Sequence, residues 1–155
     1  MTPALNILKK TKIKYKVHSY EHDPNSKAYG EEAAEKLNVP FDRLFKTLIA
    51  SADDEKFITA LVPVSKQLDL KKMVRATGSK KAKMAEKQDV VRTTGYILGG
   101  VSPMGQKKKL TTVIDISALN FDTIFVSAGR RGLQIEISPQ DLASLTHAVY
   151  SEISR

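Results

Sequence analysis

The chain has 155 residues, 41% hydrophobic and 27% charged, which fits one soluble domain and leaves no run long enough to span a bilayer. It holds no cysteine, which excludes a disulfide framework, a cysteine nucleophile and any thiolate metal site. The net charge is +8 and no apolar leader is visible, so the expectation is a basic cytoplasmic protein with no membrane partner.

Thr2-Pro3 reads as an N-cap followed by proline at the first helical position, and Ala4, Leu5, Ile7 and Leu8 give that helix its apolar side. From Ile13 the period changes to two, with Ile13, Tyr15 and Val17 on one face and Lys14, Lys16, His18 and Tyr20 on the other. Asp23-Pro24-Asn25 is a turn, and residues 31–37 form a short helix stopped at Asn38. Residues 45–50 and 57–62 read as a hairpin around the acidic tip Asp53-Asp54-Glu55. A basic amphipathic helix follows over 70–77, then a short extended piece at Lys83-Met84 and a helix over 86–93 closed by Gly95. Strands are expected at 96–98, 111–116, 123–128 and 133–137. Ser138-Pro139 caps a last helix to about His147, and residues 149–153 are either an edge strand or a frayed end. Such a mixture predicts an α+β fold: a single compact domain over 1–155, with a curved, mixed but mostly antiparallel, barrel-like sheet of about seven strands and flanking helices.

The charge is unevenly spread. Residues 64–109 carry twelve Lys/Arg and three acids, a net of +9, while the rest of the chain nets −1. A segment of this kind attracts polyanions. No aromatic residue falls between Phe57 and Tyr96, so phosphate contact is expected there rather than base stacking.

Two small-residue loops stand out. Gly99-Gly100-Val101-Ser102-Pro103 leads through Met104 and Gly105 to Lys107-Lys108-Lys109, and Ser127-Ala128-Gly129-Arg130-Arg131-Gly132 joins two expected strands. Each is either an ordinary turn with a charged tip or part of a pocket wall that lets a ligand approach backbone closely. Lys46 opens a strand that is apolar on both faces, so it either snorkels to water or is held against an anion. His18, His22 and His147 suit no zinc spacing, Ser102 sits in no Gly-x-Ser-x-Gly elbow, and no phosphate-loop motif occurs. Neither metal nor cofactor is expected.

Taken together and in order, several stretches resemble one family. They are Thr2-Pro3-Ala4, residues 32–37, Phe45-Lys46-Thr47-Leu48, residues 95–108 with Gly-Gly-Val-Ser-Pro at 99–103, and residues 127–133. The chain resembles the YbaK/EbsC family of stand-alone aminoacyl-tRNA deacylases that hydrolyse Cys-tRNA(Pro), relatives of the editing domain inserted in bacterial prolyl-tRNA synthetases. That resemblance implies a pocket for the aminoacyl ester at the tRNA 3′ end. Lys46 would be the essential residue, gripping a phosphate of the terminal nucleotide. Gly99, Gly100, Val101, Ser102 and Pro103 would line the site, with Tyr20, Ser127, Gly129, Arg130, Arg131 and Gly132 around it. Hydrolysis would be substrate-assisted, the cysteinyl thiol attacking its own ester, which agrees with the absence of a recognisable protein nucleophile. Ala128 departs from the glycine expected there, and its methyl group would narrow the pocket. The partners implied are tRNA and prolyl-tRNA synthetase. The alternatives are a deacylase of Ala-tRNA(Pro) or another small aminoacyl-tRNA, and a non-catalytic nucleic-acid-binding module.

Overall fold

The computed structural model describes residues 1–54 and 56–155. Its helices start and stop where local chemistry requires. Thr2 caps α1 (Pro3–Lys9), its Oγ1 accepting from the Leu5 N–H at 3.2 Å. Asp69 caps α3 (Leu70–Thr77) in the same way, and Ser138 caps α5 (Pro139–Thr146). At their other ends α2 (Tyr29–Leu37) stops at Asn38, α4 (Lys87–Thr94) at Gly95 and α5 at His147, all in the left-handed conformation.

Eight strands are described, in two sheets. The first is antiparallel, with β1 (Tyr15–Ser19) beside β7 (Leu133–Ile137) and β7 beside β6 (Ile124–Ser127). The second has the order β4 (Ala82–Met84), β2 (Phe45–Ala52), β3 (Lys56–Pro63), β5 (Thr111–Asp115), β8 (Val149–Ser151). β2 pairs antiparallel with β3 and β4, whereas β3–β5 and β5–β8 are parallel. The β3–β5 connection is a long crossover carrying α3, β4 and α4, as parallel pairing demands. The sheets meet at one parallel bridge, Leu44 with Phe125, where the Phe125 N–H donates to the Arg43 carbonyl at 3.1 Å.

The main core lies between the sheets, where Phe45, Leu61 and Ile114 meet Ile124, Val126 and Ile135, closed by α1 and α5 through Leu8 and Leu142. Met73 of α3 covers the outer side of β2 and β3 with Ile153 and Leu68. Val90 of α4 packs on Ile49 with Tyr96 and Val101, and α2 packs on Leu44, Val64 and Phe125. No described helix is long and apolar enough to cross a membrane.

Three expectations are corrected, and the hairpin tip, exposed as expected, shows a further contact. The single sheet of about seven strands is two sheets holding eight, and among the described residues they do not close into a barrel. Residues 96–98 form no strand. Gly95 and Gly99, both at positive φ, bracket them too tightly for a ladder, so Tyr96 turns into the core while Ile97 and Leu98 are exposed. Val17, expected inward, is exposed. The hairpin tip is not merely solvated: the Asp53 carboxylate accepts from the Lys80 and Lys81 N–H groups at 2.9–3.1 Å, while Glu55 lies outside the described residues.

The C-terminus is held by one buried carboxylate. Asp115 accepts from the Ile153 and Ser154 N–H groups at 3.0 and 3.1 Å and from Ser117. Burial pushes its pKa up, but these hydrogen bonds outweigh burial and hold it below the usual value of 3.8. With the folded pKa depressed, the stabilisation is complete above the ordinary value and is lost as pH falls through the folded one. Asp115→Asn should cost about 1–3 kcal/mol in urea unfolding at neutral pH, and the gap from wild type should shrink in acid.

Candidate active site

β2 positions Lys46. Leu48, Ala50 and Ala52 share its face and pack toward α3, while Lys46, opposite Val62, stands half-buried near the strand's first end. There a cleft of about 290 Å³ opens between the two sheets and α2. Its walls are Lys46, Thr47 and Leu48 of β2, Tyr29, Gly30 and Glu31 of α2, Leu98, Gly99 and Val101 of the first glycine loop, and Ser127 and Gln134 at the adjoining ends of β6 and β7. Among the described residues no carboxylate lies within 4.0 Å of the Lys46 ammonium.

The two glycine loops build one wall together because they pack on each other. A Cβ on Gly100 would stand 2.8 Å from the Arg130 Cα, and one on Gly129 would stand 2.9 Å from the Tyr96 ring. Gly99 has φ +83°, and a Cβ there would strike the Tyr29 ring at 2.7 Å. Arg131 locks this arrangement. Its guanidinium lies 4.6 Å from the Tyr29 ring centre, its Nε donates to the Leu98 carbonyl at 2.9 Å, and its Nη2 donates to the Tyr29 hydroxyl at 3.0 Å. From behind, the Tyr96 hydroxyl donates to the Met104 carbonyl at 2.7 Å.

Two polar atoms in the cleft have no partner. Gln134 is 6% exposed, and neither its Oε1 nor the Thr47 Oγ1 makes a hydrogen bond among the described residues. An unsatisfied buried acceptor costs stability, so both positions carry a penalty within the described structure.

Comparison with known proteins decides the family. The aminoacyl-tRNA editing domain family matches residues 23–145. The chain belongs to that family. It is 37% identical over 153 residues to the Enterococcus faecalis protein named "Putative Cys-tRNA(Pro)/Cys-tRNA(Cys) deacylase EbsC", covering 99% of this chain and 93% of the relative. It is 33% identical over 78 residues to a Thermosipho africanus proline–tRNA ligase, covering 50% of this chain and 14% of the ligase. Among solved structures, one described as a "putative trans-editing enzyme for prolyl tRNA synthetase" superposes with a TM-score of 0.79 at 25% identity, over 91% of this chain and 87% of that one.

Within this editing domain the anticipated residues fall into three groups. Lys46, Gly99, Val101 and Ser127 line the cleft together. Gly100, Gly129 and Arg131 support its wall. The remainder stand apart. Ser102 is fully buried, its Oγ accepting from the Met104 N–H and its carbonyl from Gln106, so it shapes the loop from inside. Pro103 faces a different groove, with Gln106 and Leu145. Arg130 is exposed. Tyr20 continues the β1–β7 pairing through its N–H to the Gly132 carbonyl at 2.9 Å and packs beside Val39 and Phe125. Ala128 does not narrow the cleft, because its methyl group is buried in the main core with Ala4 and Leu5.

Sequence reading missed Gln134 and Tyr29. Gln134 alternates with the inward Leu133, Ile135 and Ile137 and so resembles a solvated strand position, until Ser127 and β2 close over it. The histidines are engaged elsewhere: His18 with Glu136 at 2.9 Å and His22 with Glu32 at 2.6 Å.

Burial pushes the Tyr96 phenol up to about 12. With the folded pKa raised, its stabilisation is complete below the ordinary value of 10.0 and is lost as pH rises through 12. Tyr96→Phe should destabilise the protein by about 1 kcal/mol at neutral pH, and thermal melts in alkali should show wild type losing that advantage.

Proposed function

We propose that this protein is a trans-editing hydrolase that deacylates mischarged Cys-tRNA(Pro), acting as one domain over its whole length. The observation that carries the reading is the half-buried Lys46, which forms no ion pair among the described residues, in a cleft with no histidine among its lining residues. A cation in that place suits a phosphate of the terminal nucleotide. The Thr47 hydroxyl and the Gln134 carbonyl oxygen suit the polar hydrogens of the terminal ribose and of the aminoacyl ammonium. The similarity to a named Cys-tRNA deacylase over 99% of the chain supports the same substrate class.

The lining side chains offer no nucleophile paired with a base. Ser127 Oγ accepts from the Gly129 N–H at 3.2 Å, and no imidazole is among the residues lining the cleft to take its proton. The substrate supplies the nucleophile instead. The cysteinyl sulfur attacks its own ester carbonyl, the carbonyl–oxygen bond to the ribose breaks, and the thiol proton passes to the leaving ribose oxygen. The resulting thiolactone is opened by water to free cysteine. The cleft contributes by holding sulfur and carbonyl in attacking geometry. The Gly100 N–H already donates to the Ile97 carbonyl at 2.9 Å. The N–H groups of Gly99 and Val101, which line the cleft and make no hydrogen bond among the described residues, are donors for the developing oxyanion.

A second reading has one observation behind it: Glu31 lines the cleft and offers a base for a water nucleophile. Release of amino acid from Cys-tRNA(Pro) and Ala-tRNA(Pro) separates the two. The thiol route predicts loss of the cysteinyl ester alone, with Glu31→Gln unaffected. Cleavage of both esters, lost in Glu31→Gln, would establish the water route. Lys46→Ala should lower turnover by about 10²-fold or more while circular dichroism and melting stay near wild type. Activity within a few-fold of wild type would remove Lys46 from the mechanism. Gln134→Met should leave stability unchanged or slightly raised, because an unsatisfied acceptor disappears, yet reduce turnover.

A further inference from the structure

The excess positive charge of residues 64–109 does not form one patch. Lys72 is turned to Glu152 at 2.8 Å on the α3 side, whereas Lys107, Lys108 and Lys109 are all exposed on the glycine-loop side. This second group sits on rigid backbone. The Lys107 N–H donates to the Thr94 carbonyl at 3.0 Å and the Lys108 N–H to the Thr93 carbonyl at 2.9 Å, so the run is bound to the carbonyl end of α4. A groove lies on each side, one of about 580 Å³ toward Lys56 and Arg92 and one of about 260 Å³ toward α5, and Lys108 and Lys109 line both. Among the described residues no acid lines either groove. The single aromatic ring there, Phe57, is half-buried with the Arg92 guanidinium 5.8 Å from its centre, so it offers bases no stacking platform. Cations without an exposed ring suit the phosphates of a duplex rather than a splayed single strand.

The ridge also has a fixed relation to the cleft. The loop whose Leu98, Gly99 and Val101 form a cleft wall runs on through Gly105 directly into Lys107. We propose that Lys107, Lys108 and Lys109 form a ridge that carries the phosphate backbone of the tRNA acceptor stem while the 3′ end occupies the Lys46 cleft. This rests on the tRNA reading of the cleft. It gives the editing domain contact with the stem without any reading of its sequence, so selection among tRNAs does not come from this surface.

The test compares wild type with Lys107→Gln/Lys108→Gln/Lys109→Gln and with a charge-matched control on the other face, Lys66→Gln/Lys71→Gln/Arg75→Gln. Each acts on full-length Cys-tRNA(Pro) and on a short oligonucleotide ending in CCA that carries the same ester. Binding of uncharged tRNA is measured against salt in parallel. The ridge variant should lose about tenfold or more in kcat/KM on full tRNA and less than about twofold on the short substrate, with a salt slope smaller by about two to three. The control should stay near wild type. Equal loss on both substrates would place the lysines in the cleft's own machinery and overturn the proposal. An equal fall in the control would reduce the effect to net charge and overturn it too. Unchanged tRNA binding with lost capture of purified prolyl-tRNA synthetase would make the ridge a protein-docking surface instead. If wild type cleaves neither ester, the reading of the cleft fails by itself, and the salt slope for uncharged tRNA still decides the ridge.

Discussion

Backbone-to-backbone contact between the two glycine loops holds the site together. Gly100 approaches Arg130 at Cα, and Gly129 approaches Tyr96, at distances that leave no room for a methyl group. Neither loop is a pocket wall alone. Packed, they exclude each other's alternatives, and the Arg131–Tyr29–Leu98 contacts add charge-assisted hydrogen bonds at the rim. α1 reinforces the same junction from behind: the Thr2 hydroxyl that caps its first turn also donates to the Ala128 carbonyl. A cleft wall made of backbone in this way has little side-chain freedom left to lose when a substrate binds.

The ionisable groups divide by task. Asp115, Glu32 and Glu136 each accept several hydrogen bonds and are held below the usual carboxylate range, and each ties separate segments together. Glu136 joins Thr123, His18 and Arg43 across β1, β7 and the chain leading into β2. These carboxylates secure the frame. Lys46 forms no ion pair among the described residues and lines the cleft. The chemistry proposed for this site follows from that division, since positioning and a fixed cation suit a substrate that carries its own nucleophile.

Cleft and ridge share one loop. Residues 98–101 contribute a wall, Ser102 and Gln106 brace the turn from inside, and Lys107–Lys109 emerge pinned to α4. The same loop thus connects the cleft proposed to take the ester with the ridge proposed to carry a phosphate backbone.

Helix limits were legible in the sequence because caps are local: Thr2, Asp69, Ser138, Asn38, Gly78 and Gly95 each satisfy or release the backbone within a few residues. The hairpin of β2 and β3 was also legible, and so was the pairing of the two glycine loops, through their shared small-residue composition at expected strand ends. The irregular path of residues 96–98 was not, since three apolar residues read as a strand unless the two flanking positive-φ glycines are weighed together. The division into two sheets and the burial of Gln134 were decided only in the tertiary structure. Strand pairing and burial depend on residues far apart in the chain, such as Leu44 with Phe125 and Gln134 with His18. Local periodicity reports which residues share a face, but not what comes to cover it.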